Sequence, residues 1–168
     1  PRARDRPLRR ACGDGRGRVR QERPLGVAGC RARKATGIPP GVLHLNEGHS
    51  GFAVVEAIRN RMEEEGINFE EAARHVSREV VFTTNTPVPA GHDRFPYGLI
   101  EEHLGPLRDS MGISPARFMA MGRVDVDNPH EDFCMTVLGL KMSRRANAVS
   151  ALPGEVSRAM LTGLYPGR

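Results

Sequence analysis

The sequence predicts an α/β domain with helices packed on a parallel sheet. Two short runs, Val42-Leu43-His44-Leu45 and Val80-Val81-Phe82-Thr83-Thr84, have the apolar or β-branched texture of buried strands. The segment between them carries apolar residues near the helical period of 3.6. Strand–helix–strand alternation without an internal repeat is the pattern of a parallel sheet. The 168 residues give room for about one domain, and 39% hydrophobic residues with 19 glycines is an ordinary globular composition.

Residues 1–23 are rich in Arg, Gly and Pro, and their apolar residues are isolated. Such a stretch buries too little surface to offset its ordering entropy, so no structure is expected there. From Leu25 small apolar residues appear, and Gly37 is placed to end a short helix before Pro39-Pro40. After the first strand, Asn46-Glu47-Gly48-His49 forms a polar interruption. Ser50 is the expected cap of a helix bearing Phe52, Val55, Ile58 and Met62, closed by Gly66. Asn68 with Glu71 marks a second helix start, running to about Arg78. The second strand leads into Asn85–Asp93, where Pro87 and Pro89 preclude regular structure. Further helices are expected over Gly98–Leu107, from Ser114-Pro115, and from Glu131 to about Arg145, with a loop over residues 123–130.

The formal net charge of +5 is unevenly placed. Residues 1–34 carry 12 basic against 3 acidic residues, and the remainder carries 13 against 17. A basic end on an acidic body suggests either a nucleic-acid-binding arm or a segment outside the fold. Only 5% of residues are aromatic and none is Trp, which leaves few stacking platforms for single strands. No apolar run reaches the ~20 residues of a membrane span, and the first 34 residues hold no signal-peptide core. Cys12, Cys30 and Cys134 form no C-x-x-C pair, so a reducing, cytoplasmic setting is expected. The first residue is Pro, as expected of a piece of a longer protein.

Ligands of open parallel sheets bind beyond the carboxyl ends of the strands. The loops Asn46–His49 and Asn85–Asp93 fall at such ends, which gathers Glu47, His49 and Asn85 on one rim. Glu47 accepts hydrogen bonds, His49 donates or accepts, and Gly48 admits close approach to the backbone. Ser50-Gly51 opens a helix whose N-terminus favours an anion such as phosphate. The alternative is structural: Glu47 satisfies nearby backbone amides. Other constellations fail on spacing. His44 and His49 are not an H-E-x-x-H pair, and Asp125-Val126-Asp127-Asn128 lacks the Gly and Glu of a calcium loop. His75 and His103 are expected at the surface without partners, Glu63–Glu65 as a solvated helix end, and Cys134 and Met135 in the core.

The strings HLNEGHSGFAVVEAIR and VVFTTNTPVPAGHDRF resemble paired motifs of the α-glucan (glycogen/maltodextrin) phosphorylases, in particular the shorter bacterial and archaeal type. LGVAGCRARKATGI upstream and MTVLGLKMSRRANAVSALPGEVSRAM downstream are similar to further family segments, and the resemblance covers about residues 21–164. It implies a GT-B fold of two Rossmann-like domains, of which residues 21–168 form part of the N-terminal one, with residues 1–20 outside it. It implies phosphorolysis of α-1,4-glucans by inorganic phosphate to glucose 1-phosphate, with pyridoxal phosphate as cofactor. It places Glu47 and His49 at sugar-facing positions and Asn85 where the family carries a sugar-contacting histidine. The lysine that bears pyridoxal belongs to the family's second domain, so no catalytic or cofactor-binding residue is expected in this chain, and the isolated chain should be inactive. A homodimer is common in the family.

The chain departs from the family pattern at Asn85 (His), Pro153 (His), Ala148 (Gly), Gly139 (Ala) and Arg145 (uncharged). Asn85 is shorter than His and does not titrate, and Pro153 removes a backbone donor. Two other readings remain: a basic-armed nucleic-acid-binding protein, and a non-catalytic remnant.

Overall fold

The computed structural model describes residues 15–37, 41–85 and 92–149. In chain order the elements are α1 (Gly15–Ala35), β1 (Leu43–Asn46), a 3-10 turn (Gly48–Ser50), α2 (Phe52–Glu65), α3 (Phe69–Glu79) and β2 (Val80–Thr84). They continue with β3 (Arg94–Phe95), α4 (Tyr97–Ser110), α5 (Pro115–Ala120), β4 (Phe133–Cys134), α6 (Met135–Lys141) and β5 (Arg145–Ala148). β1, β2 and β5 form a parallel sheet with β2 in the centre, as the alternation of strands and helices requires. β3 and β4 pair antiparallel in a small second sheet.

Register sorts the side chains by face. Leu45 lies opposite Phe82, and both are buried. Gly139 of α6 lies against the Phe82 ring, where a Cβ would come within 2.5 Å. The other face carries His44 and Asn46 of β1, Val81 and Thr83 of β2, and Arg145 and Asn147 of β5. Beside the sheet, the rings of Phe95, Phe52, Phe133 and Phe118 stack in series with centroids 5.8–6.5 Å apart. This column joins β3, α2, β4 and α5 into one core.

Local signals account for most helix ends. Gly66 adopts φ 66° and donates its N–H to Met62 O (2.9 Å), which closes α2. Asn68 Oδ1 accepts the Glu71 N–H (3.0 Å), and Ser114 Oγ accepts the Arg117 N–H (3.2 Å). Ser50 is not the cap of α2: Gly51 takes that place, and the Ser50 hydroxyl turns back to donate to the Glu47 carbonyl (2.9 Å).

Two regions differ from expectation. α1 begins at Gly15, inside the stretch whose composition argues against structure. Val19 is fully buried, Gly26 meets the first turn of α2, and the Cys30 thiol donates to Ala53 O (3.2 Å). A thin stripe at positions 19, 22, 26 and 30 therefore docks a helix that is otherwise polar. Arg16, Arg18 and Arg31 pair with Glu102, Asp93 and Glu56, so part of the basic end neutralises the acidic body.

The helix expected from Glu131 to Arg145 is instead a strand, a seven-residue helix and a strand. Residues 133–140 are all buried, so the run has no polar stripe, and periodicity does not distinguish helix from strand there. Cys134 N–H is taken by Gly122 O (2.8 Å), and Arg144 N–H donates to Val80 O (3.1 Å) as the chain enters the sheet.

Candidate functional site

Because β1 and β2 are parallel, the residues leaving them meet at one end of the sheet. Glu47 follows β1 and Asn85 follows β2. Glu47 N–H donates to Thr83 O (2.8 Å), and Asn85 N–H donates to Glu47 Oε1. Asn85 Nδ2 donates to Asn46 Oδ1 (3.0 Å). His49 sits exposed in the 3-10 turn. Glu47 and Asn85 are thus in contact, and His49 is two residues away along the same turn.

Glu47 has φ 67° and ψ 167°, and it is the one non-glycine residue with positive φ among the described residues. This conformation is essentially restricted to glycine and costs about 1–3 kcal/mol. Hydrogen bonds that its amide donates and that its carbonyl and carboxylate accept hold it there. The carboxylate does satisfy a backbone amide, but that amide belongs to the loop of the neighbouring strand, so the bond also fixes the rim.

The surroundings correct two expectations. Gly48 is buried, and the group that approaches it is α6: a Cβ there would stand 3.0 Å from Met135 Cβ and 3.2 Å from Thr136 N. The N-terminus of α2 is covered by α1, since a Cβ on Gly26 would stand 2.5 Å from Ala53 N. On that side of the first turn the neighbour is α1, not a ligand. Pro87 and Pro89 lie outside the described residues, as does Pro153.

Several polar residues at this end of the sheet escaped the sequence reading. Thr83 Oγ1 donates to Asn147 Oδ1 (2.7 Å) and lies 2.7 Å from His44 Nε2, so its second contact is as acceptor from a His44 N–H. This ladder crosses all three strands. Alternation within LHLN and VFTTN was the available signal, because it places His44, Asn46, Thr83 and Asn85 on one face. Behind the rim, buried His92 Nδ1 lies 2.7 Å from Thr136 Oγ1. Burial holds the His92 pKa below its ordinary value, against the opposing pull of Glu47.

Other candidates resolve structurally. Asp125 Oδ1 accepts the Asp127 N–H (3.1 Å), and the Glu131 carboxylate accepts the Val124 and Asp125 amides (2.8 and 2.9 Å), which folds the 123–131 loop on itself. Among the described residues no group of three or more His, Cys, Asp or Glu is placed to hold a metal ion. Contrary to expectation, His75 pairs with Glu65 (3.2 Å), and the His103 side chain is mostly buried. Glu63 and Glu65 are exposed, as expected of a solvated helix end, and also carry ion pairs to Arg59 and Arg61. Cys134 and Met135 are in the core.

The rim therefore offers a carboxylate acceptor, amides that donate and accept, and imidazoles. This set suits recognition of a polyhydroxylated ligand. The chain is 40% identical over 166 aligned residues to a glycogen phosphorylase of Mycobacterium tuberculosis (strain ATCC 25618 / H37Rv), covering 92% of this chain and 19% of that protein. This chain is homologous to a segment of the phosphorylases. It is 41% identical over 150 residues to a maltodextrin phosphorylase of Thermococcus litoralis, covering 89% of the chain and 17% of the relative. A glycogen phosphorylase of Aquifex aeolicus matches at 29% over 148 residues, 88% of the chain and 21% of the relative. The chain spans about a fifth of the length of these phosphorylases. No family model matches it. Among the described residues no helix is long and apolar enough to cross a membrane.

Proposed function

We propose that this chain supplies sugar-facing loops to an α-glucan phosphorylase, within the N-terminal half of a GT-B fold. In this reading the parent cleaves α-1,4-glucans with inorganic phosphate and releases glucose 1-phosphate in the cytoplasm. The observation that carries it is the clasp between Glu47 and Asn85 at the carboxyl ends of two parallel strands, together with homology to glycogen and maltodextrin phosphorylases. Glu47, His49 and Asn85 take sugar hydroxyls, with Asn85 as a hydrogen-bonding substitute for the family's histidine.

Pyridoxal phosphate would supply a phosphate that acts as acid and base beside the substrate phosphate. The described residues do not form a site for it. Lys141, the lysine whose side chain is described, donates from Nζ to the Ala120 carbonyl (3.0 Å) and also bonds the Arg123 carbonyl. Its amine is committed to joining α6 to the end of α5. The isolated chain is accordingly expected to release no glucose 1-phosphate from maltoheptaose and phosphate.

Binding is testable on the chain itself. Titration with maltoheptaose followed by amide NMR should shift resonances at residues 46–49 and 83–85, and Glu47→Gly should abolish those shifts. The same substitution removes the backbone strain, worth about 1–3 kcal/mol, and a hydrogen bond to a charged acceptor, worth about 1.5–3 kcal/mol. Its stability should thus stay within about 1 kcal/mol of the parent chain. Unchanged sugar-induced shifts in this variant would overturn the assignment of Glu47.

A further inference from the structure

The contact between α1 and the residues before β3 holds two carboxyl groups that the glucan reading does not use. Glu22 of α1 is buried, and its carboxyl stands within hydrogen-bonding reach of Asp93. Two carboxylates cannot bond each other, since neither has a proton to give. Arg18, one turn earlier on α1, forms an ion pair with Asp93. Glu22 Oε2 is buried and receives no hydrogen bond among the described residues. The arginine therefore marks Asp93 as the ionised member, and Glu22 as the member that carries the proton.

We propose that Glu22 and Asp93 are a single-proton latch: protonated Glu22 donates to the Asp93 carboxylate and docks α1, and loss of that proton to solvent base loosens the helix. Deprotonation leaves two negative charges in one buried seam with Arg18 as their counter-ion. The other titratable groups nearby do not replace the proton. Burial disfavours the charged form of His92, next to Asp93, and its ring bonds Thr136, with Nε2 buried and without a hydrogen-bond partner among the described residues. Glu47 and Asp93 favour the charged form of His92 and Arg94 opposes it. Arg16 pairs with Glu102 of α4, which also lies 3.8 Å from His103, and Arg31 pairs with Glu56 of α2. The rest of the docked face (Val19, Gly26, Cys30) is small and apolar. A modest electrostatic change is therefore enough to shift its equilibrium.

Burial, reinforced by Asp93, raises the Glu22 pKa from 4.5 to about 8. A raised folded-state value means that docking is strongest at low pH and weakens as pH rises from about 4.5 to about 8, then levels off. The test is amide hydrogen exchange of α1 against β2 between pH 5 and 9.5, corrected for intrinsic exchange. In the full chain, protection of residues 19–30 should fall by up to about tenfold per pH unit below pH 8. Glu22→Gln, whose amide can still donate to Asp93, should hold that protection level across the range. Carbon NMR of the Glu22 carboxyl gives a second readout that needs no substitution. A midpoint near 8 supports the latch. A midpoint near the ordinary 4.5, or a fall in α1 protection that persists unchanged in Glu22→Gln, overturns it.

Discussion

Phe133→Ala should lower the unfolding free energy by about 3–5 kcal/mol, the range for emptying a buried aromatic site. Phe133 is fully buried and stacks on both Phe52 (6.2 Å) and Phe118 (5.8 Å). It also fills the space that Gly122 leaves, where a Cβ would stand 2.6 Å from the ring. One ring thus bridges α2, α5 and β4, and the surrounding strand pairing limits collapse into the void. The check is the urea midpoint of the chain with and without the substitution. A loss under about 1.5 kcal/mol would mean that the aromatic column does not join these elements as described.

Glu56→Ala should cost about 3 kcal/mol, toward the lower end of what breaking a buried ion pair costs. The Glu56 side chain is fully buried on α2 and accepts from Arg31 Nε (3.0 Å), Arg59 Nε (3.1 Å) and Arg59 Nη2 (2.7 Å). Its loss leaves the mostly buried Arg59 with only Glu63 and Asn60 as partners, while the more exposed Arg31 recovers water. Burial alone would push the Glu56 pKa up. The arginine hydrogen bonds outweigh it and hold the value below 4.5. A lowered value stabilises the fold above about pH 4.5, and that stability fades as acid protonates the group. Glu56→Ala should therefore be most damaging near neutrality and converge on the parent chain in acid. Thermal melts at pH 3 and pH 7 measure this, and an equal deficit at both would refute it.

The sheet and its rim were legible because both strands carry strong local texture and end in polar loops. Val80–Thr84 was placed residue for residue, and Leu43–Asn46 within one residue. Caps at Asn68 and Ser114 are local chemistry and were equally readable. What escaped depends on partners distant in sequence. Gly15–Arg23 is helical because Val19 and Glu22 reach the body, which no count of arginines reveals. The Phe133–Leu140 run looked helical throughout because a fully buried segment has no polar side to set its period. Glu47 was found as a polar group at a strand end, but its backbone strain and its bond to Asn85 exist only once two loops meet. The latch residue Glu22 stood unnoticed among arginines for the same reason.

The sheet's connectivity also sets an order of assembly. Its side-chain ladder joins His44 to Thr83, 39 residues apart, and Thr83 to Asn147, 64 apart. Closing the longer loop costs more chain entropy and needs α4 to α6 gathered first, so β1 and β2 should pair before β5 arrives. Pulse-labelled exchange during refolding would show this as earlier protection on the β1 side of β2. The chain then passes through a state in which one edge of β2 is bare, and that exposed edge is where two such molecules would stick to each other.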